Sequence, residues 1–240
     1  MEDSVREILL TGAHDLGISL SDHQLDAFER FTDLLLEWNA KFNLTRITDP
    51  REIAVKHFLD SLSMLKFVEI PVGARVIDVG TGAGLPGLPL KIVRPDLEMT
   101  LLDSVRKKLV FLRVVVDELE LPKLQLVHGR AEDVGRMPAY REQYDFSISR
   151  AVARLNVLAE LCMPFCKMDG FFVAYKGPDV KEEVQEAERA ISLLGGRLEA
   201  VHEFVLPSSD ICRSLVVVKK MRRTSPKYPR KPGSPERNPL

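Results

Sequence analysis

The sequence predicts an α/β fold in which a helical region precedes a seven-stranded, mostly parallel sheet with an antiparallel last strand. Three observations predict it. Apolar side chains in the first eighty residues recur at helical spacing. From Arg75 onward, short apolar runs rich in β-branched residues alternate with helix-compatible stretches, as in a parallel sheet covered on both faces. The last two runs are separated by only about seven residues, Pro207 to Arg213, which is too short for a parallel crossover and predicts a hairpin.

Ser21, with Gln24 three residues on, resembles a capping box. After it Leu25, Phe28, Leu35, Trp38 and Phe42 mark one helix face, and Phe31, Leu34 and Leu36 widen that face beyond a single partner stripe. Trp38 is expected in the core, and Asn39 and Asn43 are expected to satisfy backbone groups at the helix end. Asp49-Pro50 starts a second helix, an N-cap residue followed by proline at the first helical position. Its face is Ala54, Val55, Phe58, Leu59, Leu62 and Leu65, and Pro71-Val72-Gly73 closes the region. The predicted strands are RVIDVG, MTLLD, LQLVHG, YDFSISR, GFFVAYKG, LEAVHEFVL and SLVVVKK. Helices are predicted over LPGLPLKIV, VRKKLVFLRVVVDEL, a short segment after Ala131, LNVLAELCMPFC and VKEEVQEAERAISLLG. Seven strands ending in an antiparallel hairpin match the class I SAM-dependent methyltransferase (Rossmann-like) sheet; a dehydrogenase sheet more often ends on parallel strands. The expected division is a helical region over 1–70 packing on a domain over 71–220, then a tail over 221–240.

The 240 residues are 45% apolar and 29% charged, ordinary globular usage that excludes a disordered or collagen-like chain. No apolar run approaches the ~20 residues that span a bilayer, and MEDSVREILL has acids where a signal peptide wants positive charge. Cys162, Cys166 and Cys212 cannot form a disulfide framework and read as reduced thiols, so a cytoplasmic protein with no membrane contact is expected. Cys162 and Cys166, placed i, i+4 on a predicted helix, read as buried small hydrophobes; a metal site lacks further ligands. From Lys219 to Leu240 there are eight Lys or Arg against Glu236 alone, a local +7 that leaves −8 for the rest of a chain of net charge −1. Prolines at 226, 229, 232, 235 and 239 forbid helix and central strand, so this tail is expected to be extended and mobile, and either to meet polyanions or to serve as a solubilising arm.

The stretch VIDVGTGAG, residues 76–84, carries the chemistry. A strand ends in Asp78 and is followed by Gly80, Gly82 and Gly84, beyond the strand's carboxyl end where ligands of open parallel sheets sit. Leu88 stands where a phosphate-binding P-loop needs lysine, so that reading fails. A dinucleotide fingerprint fits only at Gly82, Gly84 and Gly87, which leaves Asp78 without a role and sets Pro86 and Pro89 at the helix start. S-adenosylmethionine (SAM) fits better, because it has no phosphates and its ammonium benefits from an acid such as Asp78. Asp103 ends the next strand 23 residues after Gly80, placed to accept from both hydroxyls of a ribose, which NAD and SAM share. Ala131 and Glu132 follow the third strand, either beside an adenine or as a helix cap.

The motifs DVGTGAGLPGLPL, TLLDSVRKKLVFL, GRAED, YDFSISRAVA and YKG resemble the bacterial small-subunit rRNA guanine-N7 methyltransferase family, formerly glucose-inhibited division protein B. So do LLLEWNAKFNLTRIT and KHFLDSL before them and KYPRKPGSPERNPL after them, so the resemblance covers nearly the whole chain. It implies SAM-dependent methylation of N7 of one guanosine in 16S rRNA, near the decoding site of the small ribosomal subunit. It also implies cofactor contacts at Gly80, Leu85, the Asp103-Ser104-Val105 segment, Ala131-Glu132 and Arg150; Leu85 stands where many members have phenylalanine. A monomer is expected.

Guanine N7 has a lone pair and no proton to lose, so no general base is expected and in-line placement carries the catalysis. No N/D-P-P-Y/F/W motif of amino-group methyltransferases follows the fourth strand; Ser149-Arg150-Ala151 stands there. N7 lies in the deep, narrow A-form major groove, so the target is in a loop or swings out of its stack. The cations expected to meet RNA are Arg106, Lys107, Lys108, Arg130, Arg154 and Lys176, with Arg222, Arg223, Lys227, Arg230 and Lys231 of the tail. Arg150 is the candidate catalytic residue, bridging cofactor and target; otherwise it pairs with Glu132 or Asp103. His57, Asp60 and Ser61 read as a packing contact against the sheet domain. Competing readings are a protein or small-molecule acceptor, a non-catalytic RNA-binding module and a nicotinamide oxidoreductase.

Overall fold

Side-chain caps start the first helices. In the computed structural model, which describes residues 4–150 and 153–240, Ser4 and Glu7 form a capping box on α1 (Val5–Asp15), and Ser21 and Gln24 form the predicted one on α2 (Asp22–Phe42). Helix α2 ends on Asn43 in the left-handed region, while Asn39 Oδ1 accepts from Thr45 N at 2.8 Å. Trp38 is half-buried, stacked on Phe42 with ring centroids 5.5 Å apart. Asp49 caps α3 (Pro50–Ile53) through Arg51 N and Glu52 N. The second helix is not the regular one its periodicity predicts. A π-helical turn (Ala54–Leu59) follows, then α4 (Asp60–Leu62) and α5 (Met64–Phe67). Such turns widen a helix and frequently mark functional sites.

The sheet begins with β1 (Arg75–Val79), α6 (Gly87–Val93), β2 (Glu98–Asp103), α7 (Arg106–Glu118), β3 (Leu124–His128) and α8 (Ala131–Val134). It continues with β4 (Tyr144–Arg150), α9 (Leu155–Cys162), β5 (Cys166–Lys176), α10 (Lys181–Leu193), β6 (Gly196–Val205) and β7 (Cys212–Lys220), followed by the one-turn α11 (Ser234–Arg237). The strand order is β3-β2-β1-β4-β5-β7-β6, with β7 antiparallel to both neighbours, as predicted. The chain changes direction across the sheet between β1 and β4, which opens a crevice at their carboxyl ends.

Alternation along the strands feeds two cores. Val76, Leu101, Phe146 and Val173 face the N-terminal helices, α6 and α7, whereas Ile77, Leu102, Phe172 and Val216 face α9 and α10. Phe58 from the π-helical turn packs at a tilt against Phe28 at 4.9 Å and stacks on Phe31 at 5.4 Å, tying α2 to this segment. Full burial of each ring contributes roughly 2–3 kcal/mol.

Two further sequence expectations need correction. The helix predicted through Cys166 stops at Cys162, and Cys166 opens β5. Pro164 lies between them and cannot continue a helix. Both thiols are buried, and burial pushes Cys166 up to about 12. The tail is docked, not extended and mobile. Arg141 donates to the carbonyls of Thr224, Ser225 and Tyr228. Arg230 forms an ion pair of 2.6 Å with Glu160, a fully buried acid on α9. Removing one partner of a buried pair costs about 3–5 kcal/mol, which is why this segment stays in place. Proline does not prevent α11, because Pro235 occupies its first turn, where an N–H has no helical partner.

Candidate functional site

The loop after β1 is built by its own backbone. Gly80 N and Thr81 N donate to Leu102 O at 2.9 and 3.1 Å, which draws the loop over the end of β2. Gly82, at φ 62°, donates its N–H to Asp103 Oδ2 at 2.9 Å; a Cβ in this left-handed conformation costs about 1–2 kcal/mol. Asp103 Oδ1 accepts from Val105 N at 2.8 Å, and Lys108 Nζ lies 3.4 Å from Oδ2. Asp103 therefore joins the glycine loop to the start of α7.

A cavity of about 510 Å³ opens here, lined by Gly80, Gly82, Leu85, Asp103, Ser104, Val105, Ala131, Glu132 and Arg150 of the predicted set. Asp78 and Gly84 are placed differently from expectation. Asp78 is fully buried beneath the loop, where its Oδ2 accepts from Thr81 Oγ1 at 2.6 Å and Gly87 N at 2.9 Å, while Oδ1 has no hydrogen-bond partner among the described residues. Burial pushes its carboxyl up to about 6 despite both bonds. It braces the loop from behind and is not among the residues that line the cavity. At Gly84 a Cβ would come within 2.3 Å of Leu88 Cδ1 and 2.9 Å of Leu112 Cδ2, so the bare glycine lets α6 and α7 pack close, and it does not line the cavity.

Arg150 enters from the end of β4 and is held by the π-helical segment. Its Nη1 lies 3.0 Å from Asp60 Oδ2 and donates to the Lys56 and His57 carbonyls at 3.3 and 3.2 Å and to Ser61 Oγ at 3.4 Å. The ion pair is with Asp60, not with Glu132 or Asp103, because the wide turn brings those carbonyls and Asp60 across the crevice. Arg213 Nε adds a second cation 3.4 Å from Asp60 Oδ1. Burial still pulls the Asp60 carboxyl upward against both guanidiniums. Tyr175 Oη donates to Ser61 O at 2.8 Å and fixes the same turn. The HFLDSL segment thus packs on the sheet and also clamps Arg150.

His57 reaches the cavity wall with its Nε2 2.9 Å from Thr45 Oγ1. Burial, reinforced by Arg150, pulls its pKa down to about 4 from 6.5. The unfolded chain binds the proton first, so His57 removes stability as pH falls from 6.5 towards 4. Urea unfolding at pH 7 and pH 5 is expected to show the parent losing roughly 2 kcal/mol more than His57→Gln, and equal losses would refute this. Asp78, shifted the other way, is present in both proteins and cancels in the comparison.

A family model described as GidB, rRNA small subunit methyltransferase G, matches residues 24–215. The chain belongs to that family. It is 49% identical over 232 residues to the ribosomal RNA small subunit methyltransferase G of Desulforamulus reducens, covering 97% of each chain. It is 48% identical over 240 residues to that of Thermoanaerobacter sp. (strain X514), covering all of both. The solved structures of a putative methyltransferase with the Haloferax volcanii Trm112 activator (TM-score 0.57) and of the Bacillus YcgJ protein (TM-score 0.52) share the fold at 15% identity. They cover 78% and 70% of this chain, and 98% and 99% of their own.

A second cavity of about 340 Å³ in this family member shares His57 and Arg150 with the first and adds Lys56, Asp60, Lys176 and Arg213. Arg213, Thr45, Leu161 and Glu236 were not singled out in sequence; they reach the two cavities from β7, a turn, α9 and the tail, with no common periodic signal. Of the predicted cations, Lys108 and Arg130 line the first cavity, where Arg130 pairs with Glu132 at 3.0 Å. Lys176 pairs with Glu183 at 2.6 Å and Arg154 with Glu186. Arg222 donates to Ser192 O at 2.9 Å, and Arg106, Lys107, Arg223, Lys227 and Lys231 are exposed. Arg230 pairs with the buried Glu160 at 2.6 Å. No helix among the described residues is long and apolar enough to cross a membrane.

Proposed function

We propose that this chain transfers a methyl group from SAM to N7 of a guanosine in 16S rRNA of the small ribosomal subunit, near the decoding site. The observation that carries the reading is the pair of cavities meeting at Arg150, one walled by the glycine loop and Asp103, the other by cations. The residues fit a nucleoside without phosphates. Beside Gly82 a Cβ would touch Gly80 O at 3.9 Å and Lys108 Nζ at 4.0 Å, room that the bare glycine leaves to a ligand, and Asp103 at the end of β2 suits a ribose acceptor. Gly80, Leu85, Ser104, Val105, Ala131 and Glu132 complete its wall, and Arg150 faces both cavities.

Bound in the first cavity, SAM supplies an electrophilic methyl group. The chain's task is placement, since N7 needs no base and His57 stays neutral and tied to Thr45. Holding nucleophile and methyl in line is worth about 7–11 kcal/mol, and the four oxygens around Arg150 Nη1 fix the group between the two cavities. The guanine swings out of its stack towards Lys56, Lys176 and Arg213, because side chains cannot read N7 inside an A-form groove. Arg106, Lys107, Lys108, Arg130, Arg154, Arg222, Arg223, Lys227 and Lys231 receive the phosphates, in the cytoplasm.

Small subunits from cells lacking this gene, incubated with the protein and radiolabelled SAM, are expected to take up label at a single guanosine of 16S rRNA, mapped by mass spectrometry as 7-methylguanosine. Uptake into protein, or none, would refute the reading.

A further inference from the structure

The strap of residues 224–240 does more than cover a core. Arg141 holds its first half through carbonyls, and Arg230 anchors its middle, donating from N, Nε and Nη2 to the buried Glu160 carboxylate at 2.6–3.0 Å. These contacts deliver the next residues to the first cavity. Gly233 N donates to Glu132 Oε1 at 2.9 Å, and Glu236 lines the cavity wall. Glu132 is buried, and Arg130 Nη2 also donates to Oε1 at 3.0 Å, so that oxygen is saturated from the strap side and the helix side. Oε2 makes a long 3.4 Å contact with Arg130 Nε and remains an acceptor.

The sheet order says which end of the ligand this is. The glycine loop follows β1, the ribose acceptor Asp103 ends β2, and Glu132 follows β3 at the sheet edge. A nucleoside lying across the strand ends therefore presents its base to Glu132 and the strap. Arg130 also lines that wall, but it is paired with Glu132, and two carboxylates against one guanidinium favour a base edge that donates hydrogen bonds. A 6-amino purine donates there; a 6-oxo purine sets a lone pair against negative charge.

We infer that residues 233–236 are part of the donor site: Gly233 positions Glu132, Glu236 supplies a second carboxylate, and together they select the 6-amino group of the donor's base. The inference rests on the SAM reading above. Its test uses the full chain, a chain ending at Pro232, which keeps the Arg230–Glu160 anchor, and the point variant Glu236→Ala. Calorimetry measures S-adenosylhomocysteine and its 6-oxo analogue, S-inosylhomocysteine, and ligand-free melting monitors the fold. The full chain is expected to prefer the adenosyl ligand. Ending the chain at Pro232 weakens that ligand about tenfold, equivalent to about 1.4 kcal/mol, and weakens the inosyl ligand much less, so the preference narrows. Glu236→Ala narrows it in the same direction by a smaller factor. Adenosyl affinity unchanged within twofold, or a parallel loss of both ligands, overturns the inference while leaving the SAM reading intact. A full chain that binds neither ligand overturns the SAM reading and this inference with it.

Discussion

Replacing Asp103 with alanine is expected to lower affinity for S-adenosylhomocysteine by about two orders of magnitude while the protein remains folded. The carboxylate already receives Gly82 N and Val105 N, with Lys108 beside it, so it is held in one orientation before any ligand arrives. Each hydrogen bond from a ribose hydroxyl to a charged acceptor contributes about 1.5–3 kcal/mol, and alanine forfeits two. It also frees the glycine loop from the start of α7. Asp103→Asn keeps one acceptor oxygen and is expected to fall between parent and alanine variant. Calorimetric titration of the three proteins decides it, and an alanine variant within threefold of the parent would sink the proposed ribose contact.

Arg150→Ala is expected to lower the melting temperature by roughly 10 °C and to abolish measurable methyl transfer. Asp60 is 4% exposed and would keep only the longer pair with Arg213. An uncompensated buried charge costs about 3–5 kcal/mol, and in a chain of this size each kcal/mol moves the midpoint by about 2–4 °C. The two effects are separable. Arg150→Lys restores a positive charge beside Asp60 and so most of the stability, but a point-charge ammonium cannot reproduce the planar guanidinium fork. Its turnover is expected to remain at least about a hundredfold below the parent with donor affinity changed far less. Parent-like turnover in Arg150→Lys would show that charge alone suffices and that the geometry of Nη1 is incidental. A parent-like melting point in Arg150→Ala would show that the Asp60 pair holds nothing together.

The alternation of β-branched runs with helical stretches, the hairpin between β6 and β7, and the glycine loop with Asp103 behind it were all legible in the sequence. These features are encoded by neighbours: period, turn chemistry and loop length act over a few residues, and a parallel sheet leaves few ways to connect them. Gly84 and Asp78 belong to the same local signal, yet their roles were not legible, because Leu88 and the buried space beneath the loop decide them. Arg150 and Asp60 are 90 residues apart, and Arg230 and Glu160 are 70 apart. Pairings at that separation carry no periodic trace. In the tail, composition favoured an extended arm, and a single buried acid on α9 outweighed it. The chain by itself determined the sheet, the loop and the acid at its rim. Only the folded molecule decided which carboxylate holds each arginine and that the strap reaches the cavity wall, because burial sets the energy of a charge and burial exists only after packing.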